Sequence, residues 1–277
     1  MTAEKIPLAG VIGTPIAHTK SPQIHRHWLT SMGLPGHYIP MDVATDDLET
    51  VLRTLPRAGF VGVNVTIPHK ERVLDIADLV TDRAILIGAA NTLIFRKDGK
   101  IHADNTDGLG FVRNLESAPG GWDPRAGPAA MFGAGGAARA VIAAMLDAGV
   151  PEILISNRTR VRAEALQSDF GKRLRVFDWV QAGNMLDYAA TVVNTTSLGM
   201  LGQPPLRVPL DGLQKGALVT DLVYAPLKTK LLEVAEEAGC RTVDGLGMLL
   251  HQAVPGFERW FGTRPTVDSA TRAAALR

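Results

Sequence analysis

The sequence predicts an α/β protein of two domains: an N-terminal α/β substrate domain and a doubly wound, Rossmann-type dinucleotide domain, with a cleft between them. Three observations carry this. Short β-branched apolar runs alternate with longer helical patterns along nearly the whole chain, the pattern of parallel sheets covered by helices. A glycine-rich turn, Gly133-Ala134-Gly135-Gly136, stands between an apolar run and an Ala-rich helical stretch. A Pro- and Gly-rich stretch, residues 118–124, interrupts the pattern with a linker's composition.

Taken in order, the first part offers strands at residues 7–12, 37–43 and 60–65. Helices open between them at Ser21-Pro22 and at Asp46, with Ser21 and Asp46 as N-caps, Pro22 at the first helical position and Glu49 three residues after Asp46. Residues 92–96 and 100–104, joined by Lys97-Asp98-Gly99, form a β-hairpin. From Asn105 the pattern is helical through Leu115, and the linker follows. Residues 129–132, the glycine turn, a helix to Ala148 and residues 152–156 make a βαβ unit, with further strands at 174–177, 191–194 and 217–221. One or two helices begin at Gly245. The expected division is residues 1–107 for substrate, 108–242 for the dinucleotide, and 243–277 as helices returning to the first domain.

Composition narrows the function. The 277 residues carry 29 Lys+Arg against 28 Asp+Glu, so no sequence-wide field favours nucleic acid or an anionic membrane surface. Small molecules are the expected partners, and the chain is expected to act as a monomer or homodimer. A single cysteine, Cys240, allows neither an intramolecular disulfide nor a cysteine metal cage, which fits a reducing, cytoplasmic setting. The first twenty residues show no basic region followed by a continuous apolar one, and residues 126–138 fall short of the roughly 18 apolar residues a membrane span needs.

The turn Gly133-Ala134-Gly135-Gly136-Ala137-Ala138 suits a pyrophosphate: glycines let backbone N–H groups and the positive helix end approach it, and small Ala138 lets the helix pack on the strand. A tight βα turn without a ligand would carry the same glycines, so the end of the next strand decides. There, about 20 residues on, a fold selective for NAD would offer a carboxylate to the ribose hydroxyls. The sequence instead reads Ser156-Asn157-Arg158-Thr159-Arg160-Val161-Arg162. Three arginines and a capping Thr159 make an anion site suited to a 2′-phosphate, and NADP is the expected cofactor.

Five further stretches appear in order: residues 11–22, Asn64-Val65-Thr66-Ile67-Pro68-His69-Lys70, Gly88-Ala89-Ala90-Asn91-Thr92, Asp104-Asn105-Thr106-Asp107-Gly108 and Asp244-Gly245-Leu246-Gly247-Met248. Together with the Gly-Ala-Gly-Gly-Ala turn and Asn-Arg-Thr, this chain resembles the shikimate dehydrogenase family from about Val11 to about Gln252. The resemblance implies NADP-dependent reduction of 3-dehydroshikimate to shikimate, a step toward chorismate and the aromatic amino acids. It makes Lys70 the catalytic lysine and Asp107 its paired carboxylate; alone, Asp107 would be a loop or N-cap aspartate. It assigns Thr19 and Ser21 to the substrate carboxylate, Tyr224 nearby, and Thr66, Asn91 and Gln252 to the ring hydroxyls. Thr19 stands where the family commonly has serine, which adds a methyl group to the pocket. For the cofactor it marks Gly133 to Ala137, Asn157, Arg158, Thr159, Arg162, backbone groups of Leu222 and Gly245, and Asp82, which could equally cap the helix before Ala84.

Two alternatives stand beside this reading: a quinate/shikimate dehydrogenase using NAD, and a catalytically silent NADP-binding sensor on the same fold. Metal chemistry is not expected, since His25 and His27 point to roughly opposite faces of one helix; His18 and His69, beside binding motifs, are expected to be structural or to support the residues that bind. No G-x-S-x-G elbow or G-x-x-x-x-G-K-[ST] loop occurs.

Overall fold

A computed structural model describes residues 6–277. They form two compact units, one running to Thr106 and resuming at Leu250–Arg277, the other spanning Asp107–Leu249.

The first unit is built on β1 (Leu8–Gly13), β2 (His37–Asp42), β3 (Phe60–Val65), β4 (Leu79–Val80), β5 (Thr92–Phe95) and β6 (Ile101–Asp104), in the order β2-β1-β3-β5-β6-β4. β1 runs parallel to β2 and β3, whereas β5 is antiparallel to both β3 and β6. The sheet is therefore mixed: the hairpin expected at residues 92–104 brings antiparallel pairing into a unit whose other strands alternate with helices. The hairpin imposes this: Gly99 at φ +82° closes a tight turn with Arg96 N–H on Lys100 O at 2.9 Å, and so short a link can join only antiparallel strands.

Helix α1 (Ser21–Ser31) buries Ile24, His25, Trp28 and Leu29 on one face. Its N-cap position is Lys20, and the nearest capping group is the Thr19 hydroxyl, 3.4 Å from the Ser21 N–H. Ser21 is thus the first helical residue, not the cap. Nor does Asp46 cap: it lies inside a 3-10 turn, Thr45–Asp47, ahead of α2 (Leu48–Thr54), and no side chain caps either segment. Two short helices, α3 (Val73–Ile76) and α4 (Asp82–Ile87), follow where the sequence shows no period long enough to read.

The second unit carries β7 (Ala129–Phe132), β8 (Ile153–Ser156), β9 (Leu174–Phe177), β10 (Thr191–Asn194), β11 (Leu218–Asp221) and β12 (Arg241–Val243), all parallel, in the order β12-β11-β10-β7-β8-β9. This is the doubly wound order, in which the winding reverses between β7 and β10. Alternate residues of each central strand enter two different cores. Met131, Ile155, Val193 and Leu218 pack on one face, and Phe132, Leu154, Val192 and Val219 on the other. Burial on both faces explains why these strands read as continuous apolar runs.

Around this sheet lie α5 (Asp107–Glu116), α6 (Gly136–Ala148), α7 (Arg160–Phe170), a 3-10 stretch (Trp179–Tyr188) and α8 (Lys230–Glu237). α5 packs on α6 so closely that a Cβ on Gly108 would lie 2.6 Å from Ala140 O. The linker-like residues 118–124 are consequently a loop inside this unit, tied to β10 by Trp122 Nε1–H on Thr191 Oγ1 at 3.0 Å. The units divide ahead of that loop, at Thr106 and Asp107.

The chain ends in α9 (Leu246–Phe261) and α10 (Ser269–Ala275). In the first unit Trp260 Nε1–H bonds Leu93 O at 3.1 Å, and Trp28 Nε1–H bonds Thr271 Oγ1 at 3.1 Å. His25 sits among these rings, stacked on Tyr38 with centroids 3.7 Å apart, and near Trp28, Phe257 and Trp260. Neither ring nitrogen has a hydrogen-bond partner among the described residues, and burial lowers its pKa from 6.5 to about 3. Between those values the unfolded chain binds a proton that the folded chain refuses, so stability falls as pH falls below 6.5. At pH 5.5 the loss is on the order of 1 kcal/mol. His25→Phe should flatten the melting temperature between pH 7 and 5, which thermal denaturation would read; an unchanged slope would exonerate His25.

Candidate active site

In the first unit the predicted substrate residues collect at one edge of the sheet. β1, β3 and β6 end there and β5 begins there, because Ile12 pairs with Val65, Asn64 with Thr92, and Thr92 with Asp104. The segments leaving that edge carry Thr19 and Ser21, then Thr66 and Lys70, then Asn91, then Thr106. Backbone bonds knit them: Thr66 N–H to Ile12 O at 2.9 Å, Ala90 N–H to Lys70 O at 2.8 Å and Asn91 N–H to Asp104 O at 3.0 Å. Lys70 is half-buried in the turn between β3 and α3. His69 beside it is buried, its Nε2 2.8 Å from Val43 O, consistent with the structural role expected for it.

The amides at this edge form a buried network. Asn91 Nδ2–H donates to Gln252 Oε1 at 3.0 Å, and Asn91 Oδ1 accepts from Thr106 N–H at 2.8 Å and from Thr92 Oγ1–H at 3.0 Å. Thr106 Oγ1–H also reaches Gln252 O at 2.9 Å. Beneath it, Asp104 accepts from Thr81 Oγ1–H at 2.8 Å, from Arg83 Nε–H at 2.6 Å and from Arg83 Nη2–H. Burial alone would raise the Asp104 carboxyl, but Arg83, Thr81 and the Asn105 N–H outweigh it and hold it below the usual carboxylate range.

In the second unit the glycine turn has the geometry a pyrophosphate needs. Gly133 adopts φ +108°, and a Cβ there would lie 2.6 Å from Thr195 Oγ1, so only glycine fits. At Gly135 and Gly136 nothing lies within 4 Å of where a Cβ would stand, so the backbone is open to close approach. Gly135 is the N-cap of α6 and no side chain caps that end. Asn157 Oδ1 accepts the Ala134 N–H at 3.2 Å and its Nδ2–H donates to Thr159 O at 2.8 Å, joining the turn to the end of β8. These residues fit a dinucleotide.

The arginines after β8 divide. Arg160 is engaged by Glu164 at 2.7 Å and Asp178 at 2.6 Å, whereas Arg158 and Arg162 are exposed with no carboxylate partner among the described residues. Two arginines, not three, are therefore available to a phosphate. Thr159 occupies the N-cap position of α7, but its side chain makes no capping bond, unlike the capping threonine the sequence predicts.

The match to known proteins runs through both units. A family model described as the shikimate dehydrogenase substrate binding domain matches residues 11–93, the shikimate/quinate 5-dehydrogenase model matches 126–199, and the shikimate 5'-dehydrogenase C-terminal domain matches 245–274. A shikimate dehydrogenase (NADP(+)) of Cereibacter sphaeroides is 70% identical over 272 residues, 98% of each chain. The chain belongs to the shikimate dehydrogenase family. Among solved structures, the Thermus thermophilus shikimate 5-dehydrogenase in complex with NADP(H) and shikimate superposes with a TM-score of 0.87 at 37% identity, covering 97% of this chain and 98% of that one. The Corynebacterium glutamicum quinate dehydrogenase in complex with NAD gives 0.90 at 31% identity, with the same coverage.

In this family member the second unit anchors Leu222 and Tyr224 through Asp221. That carboxylate accepts from Val223 N–H at 3.0 Å, Thr229 Oγ1–H at 2.7 Å and Asn194 Nδ2–H at 2.9 Å; burial raises its pKa and these bonds offset only part of the rise. Burial also raises the Tyr224 phenol. Gly245 packs against the Leu222 backbone, with 2.6 Å from its would-be Cβ to Leu222 C. Asp107 opens α5 in this unit. Asp82 lies exposed in the first unit; Thr81, not Asp82, caps α4 by accepting from Ala84 N–H at 3.4 Å. Sequence reasoning passed over Thr106, Asn64 and Asp221, although a polar residue inside an apolar strand, as in Val63-Asn64-Val65, demands buried partners. Among the described residues no helix is long and apolar enough to cross a membrane.

Proposed function

We propose that this chain catalyses the reversible, NADP(H)-dependent reduction of 3-dehydroshikimate to shikimate in aromatic amino acid biosynthesis. The observation that carries the reading is 70% identity over 98% of both chains to a relative named shikimate dehydrogenase (NADP(+)). Arg158 and Arg162, exposed and without acidic partners among the described residues, support NADP over NAD.

When bound, the nicotinamide supplies the hydride. The chain's own residues supply the rest. Lys70 gives a proton to the substrate oxygen as it gains negative charge and takes it back in the oxidative direction. Asp107 accepts a hydrogen bond from a substrate hydroxyl. Thr19 and Ser21 hold the carboxylate, with Tyr224 nearby, while Thr66, Asn91 and Gln252 receive the ring hydroxyls. Gly133, Ala134, Gly135, Gly136 and Ala137 cradle the pyrophosphate, Asn157, Arg158, Thr159 and Arg162 take the adenosine end, and Leu222 and Gly245 line the nicotinamide end; Asp82 is a further cofactor contact. The enzyme works in the cytoplasm as a monomer or homodimer.

The test is the initial rate at the nicotinamide absorbance band with shikimate or quinate against NADP or NAD, in all four pairings. Turnover concentrated in shikimate with NADP is expected. Preference for quinate or NAD would move the chain to the broader dehydrogenase group, and silence in all four would reject catalysis.

A further inference from the structure

Tyr38 lies on β2, separated by β1 and β3 from β5 and the Asn91 that precedes it, and is 5% exposed. Its hydroxyl donates to Asn64 Oδ1 at 2.7 Å. Asn64 Nδ2–H is directed inward, to Asn91 O at 3.0 Å and Thr92 Oγ1 at 3.2 Å, and the phenol braces the other end of the amide. Thr92, already receiving a proton, gives its own to Asn91 Oδ1, which also holds the Thr106 N–H. An oxygen serving these donors cannot exchange places with Nδ2, because two N–H groups would then face each other. Asn91 Nδ2–H is thereby committed to Gln252 Oε1.

We propose that Tyr38 is a positioning residue for the substrate pocket, its hydroxyl holding Asn64 in place against the Asn91 backbone and Thr92 and so fixing where the Asn91 and Gln252 amides stand. This rests on the reading that Asn91 and Gln252 hold the substrate's ring hydroxyls. Stacking on His25 at 3.7 Å and 7° holds the ring without using its hydroxyl, so packing and hydrogen bonding separate cleanly.

The test is Tyr38→Phe, which keeps the ring and removes the donor. Losing one buried hydrogen bond should raise the KM for shikimate about five- to tenfold, leaving kcat and the KM for NADP within about twofold. In the ligand-free 15N-labelled protein, the side-chain amide resonances of Asn91 and Gln252 should shift. A role in packing alone would lower thermal stability and move neither readout. Asn64→Asp, equal in shape but unable to donate, should raise the shikimate KM at least as far. An unchanged shikimate KM in both variants, or unmoved Asn91 and Gln252 resonances in Tyr38→Phe, would overturn the proposal. An inactive wild type would fault the functional reading alone, and the amide resonances would then decide.

Discussion

Lys70→Ala is expected to lower kcat by about a thousandfold while shikimate and NADP still bind. A positioned proton donor contributes roughly 10²- to 10⁴-fold, and no other group proposed here can protonate the nascent alkoxide. The geometry argues that the loss is chemical. Lys70 is held through its backbone, with the Ala90 N–H on Lys70 O at 2.8 Å, and that bond survives truncation of the side chain. The neighbouring anchors, His69 on Val43 O and Thr66 N–H on Ile12 O, belong to other residues. Calorimetry should find shikimate affinity within a few-fold of wild type, and added primary amines should restore part of the rate. A kcat within tenfold of wild type would remove Lys70 from the proton transfer.

The dinucleotide unit was more legible than the substrate unit, for physical reasons. Strands buried on both faces give continuous apolar runs, and β7, β8 and β10 stand in the structure where those runs lie. The glycine turn is equally readable, since positive φ and close packing at Gly133 require glycine, while Gly135 and Gly136 leave the backbone open to close approach. In the first unit the hairpin was readable from its turn, but α3, α4 and β4 are too short to show a period. Capping failed at Ser21, Asp46 and Thr159 because the composition of a cap does not fix which neighbour's hydroxyl reaches the backbone. Thr19 took that place beside Ser21, and Thr81 took it beside Asp82.

The site divides along the same line. Lys70, Asn91 and Gln252 were named by resemblance, but what orients Asn91 lies at a distance in sequence: Tyr38, Asn64 and Thr106 come from three other segments. No periodicity reports such a network. Its trace in the sequence is the polar residue that interrupts an apolar strand, as Asn64 does in β3 and Asp221 does at the end of β11.

Arg158→Ala combined with Arg162→Ala should raise the KM for NADP on the order of a hundredfold while the KM for NAD changes only a few-fold. Each charge-assisted bond to a phosphate contributes about 1.5 kcal/mol at the lower end of its range, and two give roughly that factor. Arg160 supplies the control. It sits between them in sequence, but Glu164 and Asp178 hold it at 2.7 and 2.6 Å, so Arg160→Ala should leave the NADP to NAD ratio near wild type. Raising salt should weaken NADP binding more than NAD binding, because the exposed arginines act through a field that ions screen. Equal losses for the two cofactors in the double variant would mean that the arginines serve the shared part of the dinucleotide, and the choice of NADP would then have to be made elsewhere in the unit.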